Sequence, residues 1–330
     1  MTPPQKRPGW GLAALLSCLL AACGGDGAIP ETPEVQASIA IGGNVERPWS
    51  PTIADLEQRP ARTQTVTYSS GSGSQTRTYT GASLWSLLED AGIKTDPDAK
   101  NDVLRKYVLA NAADGYRVVF STGELKPDLG NRASIVAYAE TRDGTSASLP
   151  DGDGPFRLTA PGDGKGGRYV SMATSVEVRP SGSTRTGTGG GTAPSFAISG
   201  AVQHGASFDL AALQALPAVS RAVGTAVYTG VDLWHLLNDV AGLKTASGAK
   251  NPTLGMYVVA TGSDGYQALL SMAEIDPGFG ANQALVAYEV DGQPLDRNGM
   301  ARLVLPGDVR ASRAVSNLID LQVFEAPANP

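Results

Sequence analysis

Hydrophobic and polar positions change rhythm along this chain. Short runs rich in β-branched and aromatic residues read as strands: "SIAIGG" from Ser38, "KYVLANA" from Lys106, "YRVVFS" from Tyr116 and "SIVAYAE" from Ser134. "GASLWSLLEDAG" from Gly81 instead spaces Leu84, Leu87, Leu88 and Ala91 at helical intervals, with Gly92 as its stop. Leu233, Leu236, Leu237 and Ala241 nearly repeat that spacing. Shorter helices are predicted over residues 53–58 and 209–215. Strand and helix mix without a regular βαβ rhythm, between long loops, which predicts an α+β fold.

The pattern occurs twice. "YTGASLWSLLEDAGIKT" from Tyr79 returns as "YTGVDLWHLLNDVAGLKT" from Tyr228. "KNDVLRKYVLANAADGYRVVFSTGEL" from Lys100 matches "KNPTLGMYVVATGSDGYQALLSMAEI" from Lys250, and "FRLTAPGDGKGGRYVSMATSVEV" from Phe156 matches "ARLVLPGDVRASRAVSNLIDLQV" from Ala301. A period this long predicts tandem domains and not a solenoid. The expected organisation is one domain over 37–180, a second over 194–326, and between them the Gly/Ser/Thr stretch 181–193 as a flexible linker.

The start of the chain reads as an address. Lys6 and Arg7 precede an apolar run too short to span a bilayer, and "LAAC" closes it at Cys23. This resembles a bacterial lipoprotein box: a signal peptide over 1–22, lipid on Cys23, and a tether over 23–36. Gly24 after the cysteine points to the outer membrane, facing periplasm or cell surface. Of the two cysteines, Cys18 leaves with the leader and Cys23 takes lipid, so no thiol remains for a disulfide or a metal. A net charge of −6 without a basic cluster excludes nucleic acid as a partner.

The order "YTGxxLWxLL", "DGYxxxxSxxE", "VAY…G", "RLxxPGD" and a closing "R-x-V-S" strand resembles the molybdopterin-binding domain of the sulfite oxidase family, met in two divergent copies. The resemblance implies mixed sheets with short helices, and a metal-binding cysteine between the first helix and "YTG". Ser69 and Ser70 stand in that interval in the first copy and are weak substitutes, because a serine hydroxyl stays protonated at neutral pH. The family's closing Gly-x-Arg-Ser-Val-Lys-Trp keeps its arginine as Arg168 and Arg313; Ser171 and Ser316 replace the lysine, Met172 and Asn317 the tryptophan. Half of an anion clamp is left.

Candidate sites follow from these stretches. "PGDGKGGRY" brings glycine amides together with Lys165 and Arg168, and "PGDVRASRA" carries Arg310 and Arg313 in comparable places, which suits an anion. The competing reading is a glycine-rich hairpin whose charges are solvated or pair with Asp163 and Asp308. Each "DGY" predicts a tight turn opening a strand, with Tyr116 and Tyr266 as candidate pocket walls. Trp85 and Trp234 read as core. His204 and His235 cannot build a zinc site, no G-x-S-x-G elbow is present, and Glu89 and Asp90 diverge on their helix. Asp26, Asp151 and Asp153 do not form a calcium pattern.

The sequence therefore leads to an envelope lipoprotein whose two modules bind a ligand or a protein partner without redox turnover, with no catalytic residue and no cofactor expected. The ligand would be small and anionic or pterin-like, and the membrane is reached through Cys23. Two alternatives stay open: a molybdopterin-dependent oxidoreductase, with Ser69, Ser70 or an exogenous ligand on the metal, and a purely architectural surface module.

Overall fold

Each half of the chain folds into two small sheets joined by short helices. The computed structural model describes residues 36–246, 248 and 250–327. The first half runs β1 (Ala40–Gly43), α1 (Ile53–Glu57), β2 (Ala61–Ser70), β3 (Gly73–Ser83), α2 (Leu84–Ala91), β4 (Lys106–Ala112) and β5 (Arg117–Ser121). It continues through α3 (Thr122–Leu125), β6 (Ile135–Arg142), β7 (Thr145–Ser148), β8 (Arg157–Leu158) and β9 (Ala173–Pro180). The second half opens with β10 (Ser195–Gly200), β11 (Ala206–Asp209), α4 (Leu210–Gln214), β12 (Ala218–Val223), β13 (Ala226–Asp232), β14 (Met256–Gly262) and β15 (Gln267–Ser271). It ends with α5 (Met272–Ile275), β16 (Leu285–Val290), β17 (Gln293–Pro294), β18 (Arg302–Val304) and β19 (Leu318–Glu325).

The pairings of the two halves follow one scheme. β1-β9-β4-β5 corresponds to β11-β10-β19-β14-β15, and β2-β3-β6-β7 with β8 on β6 corresponds to β12-β13-β16-β17 with β18 on β16. β1 lies parallel to β9 and β10 parallel to β19, while their other neighbours are antiparallel. Mixed sheets with short helices make this an α+β fold.

Local chemistry explains the elements. Ser83 caps α2 and Gly92, at φ 72°, ends it, burying Leu84, Trp85, Leu87, Leu88 and Ala91. The matching segment of the second half carries one more residue, Val240, before its glycine. The structure absorbs it as a π-type turn over His235–Val240, with Ala241 N donating to the Leu236 carbonyl. Both "DGY" turns form as read: Gly115 and Gly265 sit at φ 83°, and Asp114 and Asp264 accept from the amides of Tyr116 and Tyr266.

β4 is buried on both faces. Val108 and Ala110 join the first-half core, while Tyr107 and Leu109 meet Tyr257, Val259 and Leu269 of the second half in a shared core. Tyr107 and Tyr257 stack there at 4.6 Å between ring centroids. The described residues from Ala37 onward accordingly pack as one compact unit.

The Gly/Ser/Thr stretch between the halves is held along the second half and does not hang free. Thr188 and Gly190 donate their amides to the Ser263 carbonyl, Tyr257 Oη donates to the Ser181 carbonyl, and Arg185 pairs with Asp320 at 3.0 Å. Its glycine content serves close approach: a Cβ on Gly187 would sit 2.4 Å from Gly265 N. The leader over 1–22 and Cys23 lie outside the described residues. No helix among the described residues is long and apolar enough to cross a membrane.

Candidate functional site

Arg168 and Arg313, read as the remainder of an anion clamp, are in the wrong place for one. Arg168 is 0% exposed; its guanidinium donates twice to Asp163 at 2.7 Å and once to Glu124 Oε2 at 2.7 Å. Arg313 does the same with Asp308 and Glu274. Each nitrogen of both guanidiniums already donates to a carboxylate, and both side chains are buried, so neither arginine can reach a ligand. The two triads also cross between the halves: Ser121 Oγ donates to Glu274, and Ser271 Oγ to Glu124. Burial disfavours the Glu124 charge, but Arg168 and Arg132 outweigh it and hold that carboxyl below its usual range. Burial pushes Glu274 up; Arg313 opposes this, and the neighbouring Glu124 charge adds to it. Arg310, the fourth cation read from sequence, is 69% exposed and pairs with Asp128 at 3.3 Å.

Other predicted residues do meet. A cavity of about 560 Å³ is lined by Ser69, Ser70, Tyr116, Lys165 and Tyr169 of the first half, and by Lys250, Asn251 and Phe279 of the second. The β2–β3 hairpin forms one wall, where Tyr68 stacks on Tyr169 at 4.2 Å. Tyr116 Oη donates to the Gly167 carbonyl at 2.9 Å and accepts from Asn251 Nδ2 at 3.0 Å. Burial raises the Tyr116 phenol, partly opposed by the Asn251 hydrogen bond.

Asp114 also lines this cavity, its carboxylate accepting from Tyr116 N, and the cations there fall into two groups. Arg157 pairs with Asp153, and Arg77 with Glu140 and Asp153, so both guanidiniums are neutralised. Lys165 and Lys250 have no carboxylate within ion-pair distance among the described residues; each instead lies 5.7 Å from an aromatic centroid, Phe279 and Tyr116 respectively. Tyr169 is 4% exposed, and its Oη is buried without a hydrogen-bond partner among the described residues. Ser69 Oγ donates to the Gly164 carbonyl at 3.0 Å and Ser70 Oγ to the Gly73 carbonyl at 3.2 Å. Both are hydroxyls serving the loop.

Lys250 and Asn251 were not singled out from sequence, although the signal was present. A Lys-Asn pair opens both matching phrases, at Lys100 and Lys250, ahead of otherwise different residues. Lys100 and Asn101 repeat the geometry in the other direction: Lys100 Nζ lies 5.7 Å from the Tyr266 centroid, and Asn101 Nδ2 donates to Tyr266 Oη at 3.0 Å. That second cavity, about 460 Å³, is lined by Lys100, Tyr266, Ser312 and Asn317 and edged by Gly191 of the inter-half stretch. Its hairpin is short, turning at Gly224 between β12 and β13. Ala314 stands where the first half has Tyr169.

The family signal falls on the second half. Residues 214–329 match the model of the oxidoreductase molybdopterin binding domain. No curated protein matches the chain. Among solved structures, the sulfane dehydrogenase SoxCD from Paracoccus pantotrophus is similar at 15% identity, over 71% of this chain and 61% of that one, with a TM-score of 0.36. The chain thus spans less than two thirds of that structure's length, and so low a TM-score lends nothing to the account of fold or function. The molybdopterin-binding-domain match covers β12 to β19, including Tyr266, Arg310 and Arg313.

Proposed function

We propose that the chain is a binding module built from two copies of a molybdopterin-binding-type domain, and that the first-half cavity receives a small anionic ligand without redox turnover. The family match on 214–329 and the same strand scheme in the first half support the duplication. One observation carries the ligand reading. Among the described residues, two ammoniums beyond ion-pair distance of any carboxylate, Lys165 with Asp276 as its electrostatic neighbour, and a buried tyrosine hydroxyl without a hydrogen-bond partner line one cavity, and these are groups an anion would satisfy.

Molybdopterin itself fits this cavity poorly at the metal end. No cysteine lies between Gly24 and the end of the chain, and the hydroxyls of Ser69 and Ser70 donate to backbone carbonyls, which keeps their protons on. Among the described residues no cluster of three His, Cys, Asp or Glu could hold a metal. The second reading, a molybdopterin-dependent oxidoreductase, is favoured by the family match alone. Molybdenum and pterin content of protein purified from its native host separates the two. Trace, non-stoichiometric molybdenum is the expected result; one molybdenum per chain, with a fluorescent pterin oxidation product, overturns the reading.

The lipoprotein reading belongs to the same proposal: Cys23 carries lipid and holds the module at the envelope, at the outer membrane by the Gly24 criterion. Mass spectrometry of the mature N-terminus checks it. An acylated Cys23 is expected, and an unmodified Cys23 at the mature N-terminus contradicts it.

A further inference from the structure

The first-half cavity is not closed by the first half alone. Phe279 is anchored at its wall by its carbonyl, which accepts from Gly164 N at 3.0 Å, and Asn251 is anchored by its bond to Tyr116. Gly167 lacks a side chain where a Cβ would meet Phe279 at 2.7 Å and Leu254 at 2.8 Å. The fit between loop and second half is therefore fixed by backbone and ring contacts. The two unpaired ammoniums come one from each half, and each lies near a ring of the other. A volume of about 560 Å³ is the size of an organic ligand and larger than a bare oxoanion needs. Rings on several walls offer a flat apolar surface, and the Tyr169 hydroxyl there has no hydrogen-bond partner among the described residues.

We propose that this cavity is a composite site for an organic anion that carries an aromatic ring. Its charged group is shared between Lys165 of the first half and Lys250 of the second. Its ring lies among Tyr116, Tyr169 and Phe279, with the Tyr169 hydroxyl free to bond it. The second half is then part of the binding site and not a separate module. This inference rests on the reading of the cavity as a ligand site, and adds the ligand class and the origin of the second cation.

The full chain, titrated calorimetrically at low salt where charge contacts are least screened, tests it. Phenyl phosphate is the probe; inorganic phosphate supplies charge without a ring, and phenol a ring without charge. Phenyl phosphate is expected to bind one per chain, at least about tenfold tighter than either control. Lys165→Gln and Lys250→Gln should each weaken it by about five- to fiftyfold, and Lys100→Gln by less than about twofold. All three lysines are solvent-facing, so melting temperatures should stay together and exclude misfolding as the cause. If Lys165→Gln weakens binding while Lys250→Gln does not, the composite site is refuted and the anion reading stands. If inorganic phosphate binds as tightly as phenyl phosphate, the aromatic class is refuted. If no probe binds at millimolar concentration, this inference and the ligand reading both fall.

Discussion

The two halves agree where the fold is made and differ where a ligand would sit. Both bury an arginine between an aspartate and a glutamate, and both lend a Lys-Asn pair to the other half's tyrosine. Around the cavities they part. The first half has Gly166, Gly167 and Tyr169 against a long hairpin; the second has Ala311, Ser312 and Ala314 against a short one, with Gly191 laid at its edge. Recurrence within one chain thus marked scaffold more often than site. A second difference is electrostatic: Arg132 faces Glu124 at 3.1 Å, and the matching position beside Glu274 is Asn282.

The largest effect should come from unbalancing the buried triads. Arg313→Met leaves Glu274 without a cation and should cost about 3–5 kcal/mol. Arg168→Met leaves Glu124 with Arg132 and should cost clearly less. Urea midpoints of the two variants compare them directly, and a costlier Arg168→Met would break the assignment of a second arginine to the first half. Neither arginine therefore counts as an anion binder, since replacing either tests folding and not binding.

The same asymmetry predicts opposite responses to pH. Glu124, held low in the folded state, adds stability that is present above the unfolded carboxylate range and is lost as pH falls through its folded pKa. Glu274, raised in the folded state, adds stability that is full below the unfolded pKa and is lost as pH rises through the folded one. Glu124→Gln should flatten the acid limb of a stability–pH curve, and Glu274→Gln should leave that limb or steepen it. Identical curves for the two variants would remove the distinction.

Smaller effects test the cavity walls. A Cβ on Gly167 meets Phe279 and Leu254, so Gly167→Ala should destabilise by about 1–3 kcal/mol and weaken any cavity ligand. Ser312→Gly, its counterpart, should do little to ligand binding. Smallest of all, Arg310→Ala should change stability by less than about 0.5 kcal/mol, because its pair with Asp128 is solvated. Thermal denaturation with and without phenyl phosphate resolves all three.

Much of the fold was legible because it is written in spacing. Leu84, Leu87 and Leu88 declare a buried helix face, Asp114-Gly115 declares a turn, and the apolar and aromatic content of β4 declares a strand. The π-type turn at His235–Val240 was hidden, since it follows from one inserted residue that periodicity blurs. The site was only half legible. Ser69, Tyr116 and Lys165 come from stretches that sequence reading singled out. Lys250 and Phe279 reach the same cavity from the other half, and no local pattern reports packing between halves. Arg168 misled because a guanidinium suited to an oxyanion is equally suited to Asp163 and Glu124, and only burial separates those outcomes.

The most direct test of the unequal halves is to watch the lysines themselves. The full chain, reductively methylated with carbon-13 on its lysines, gives one dimethylamine signal per side chain, assigned by Lys→Arg replacement. During titration with phenyl phosphate, the Lys165 and Lys250 signals should shift together and saturate at one equivalent, with Lys100 unmoved. Equal shifts of Lys100 and Lys250, saturating at two equivalents, would mean that both halves kept a working cavity and would contradict the account.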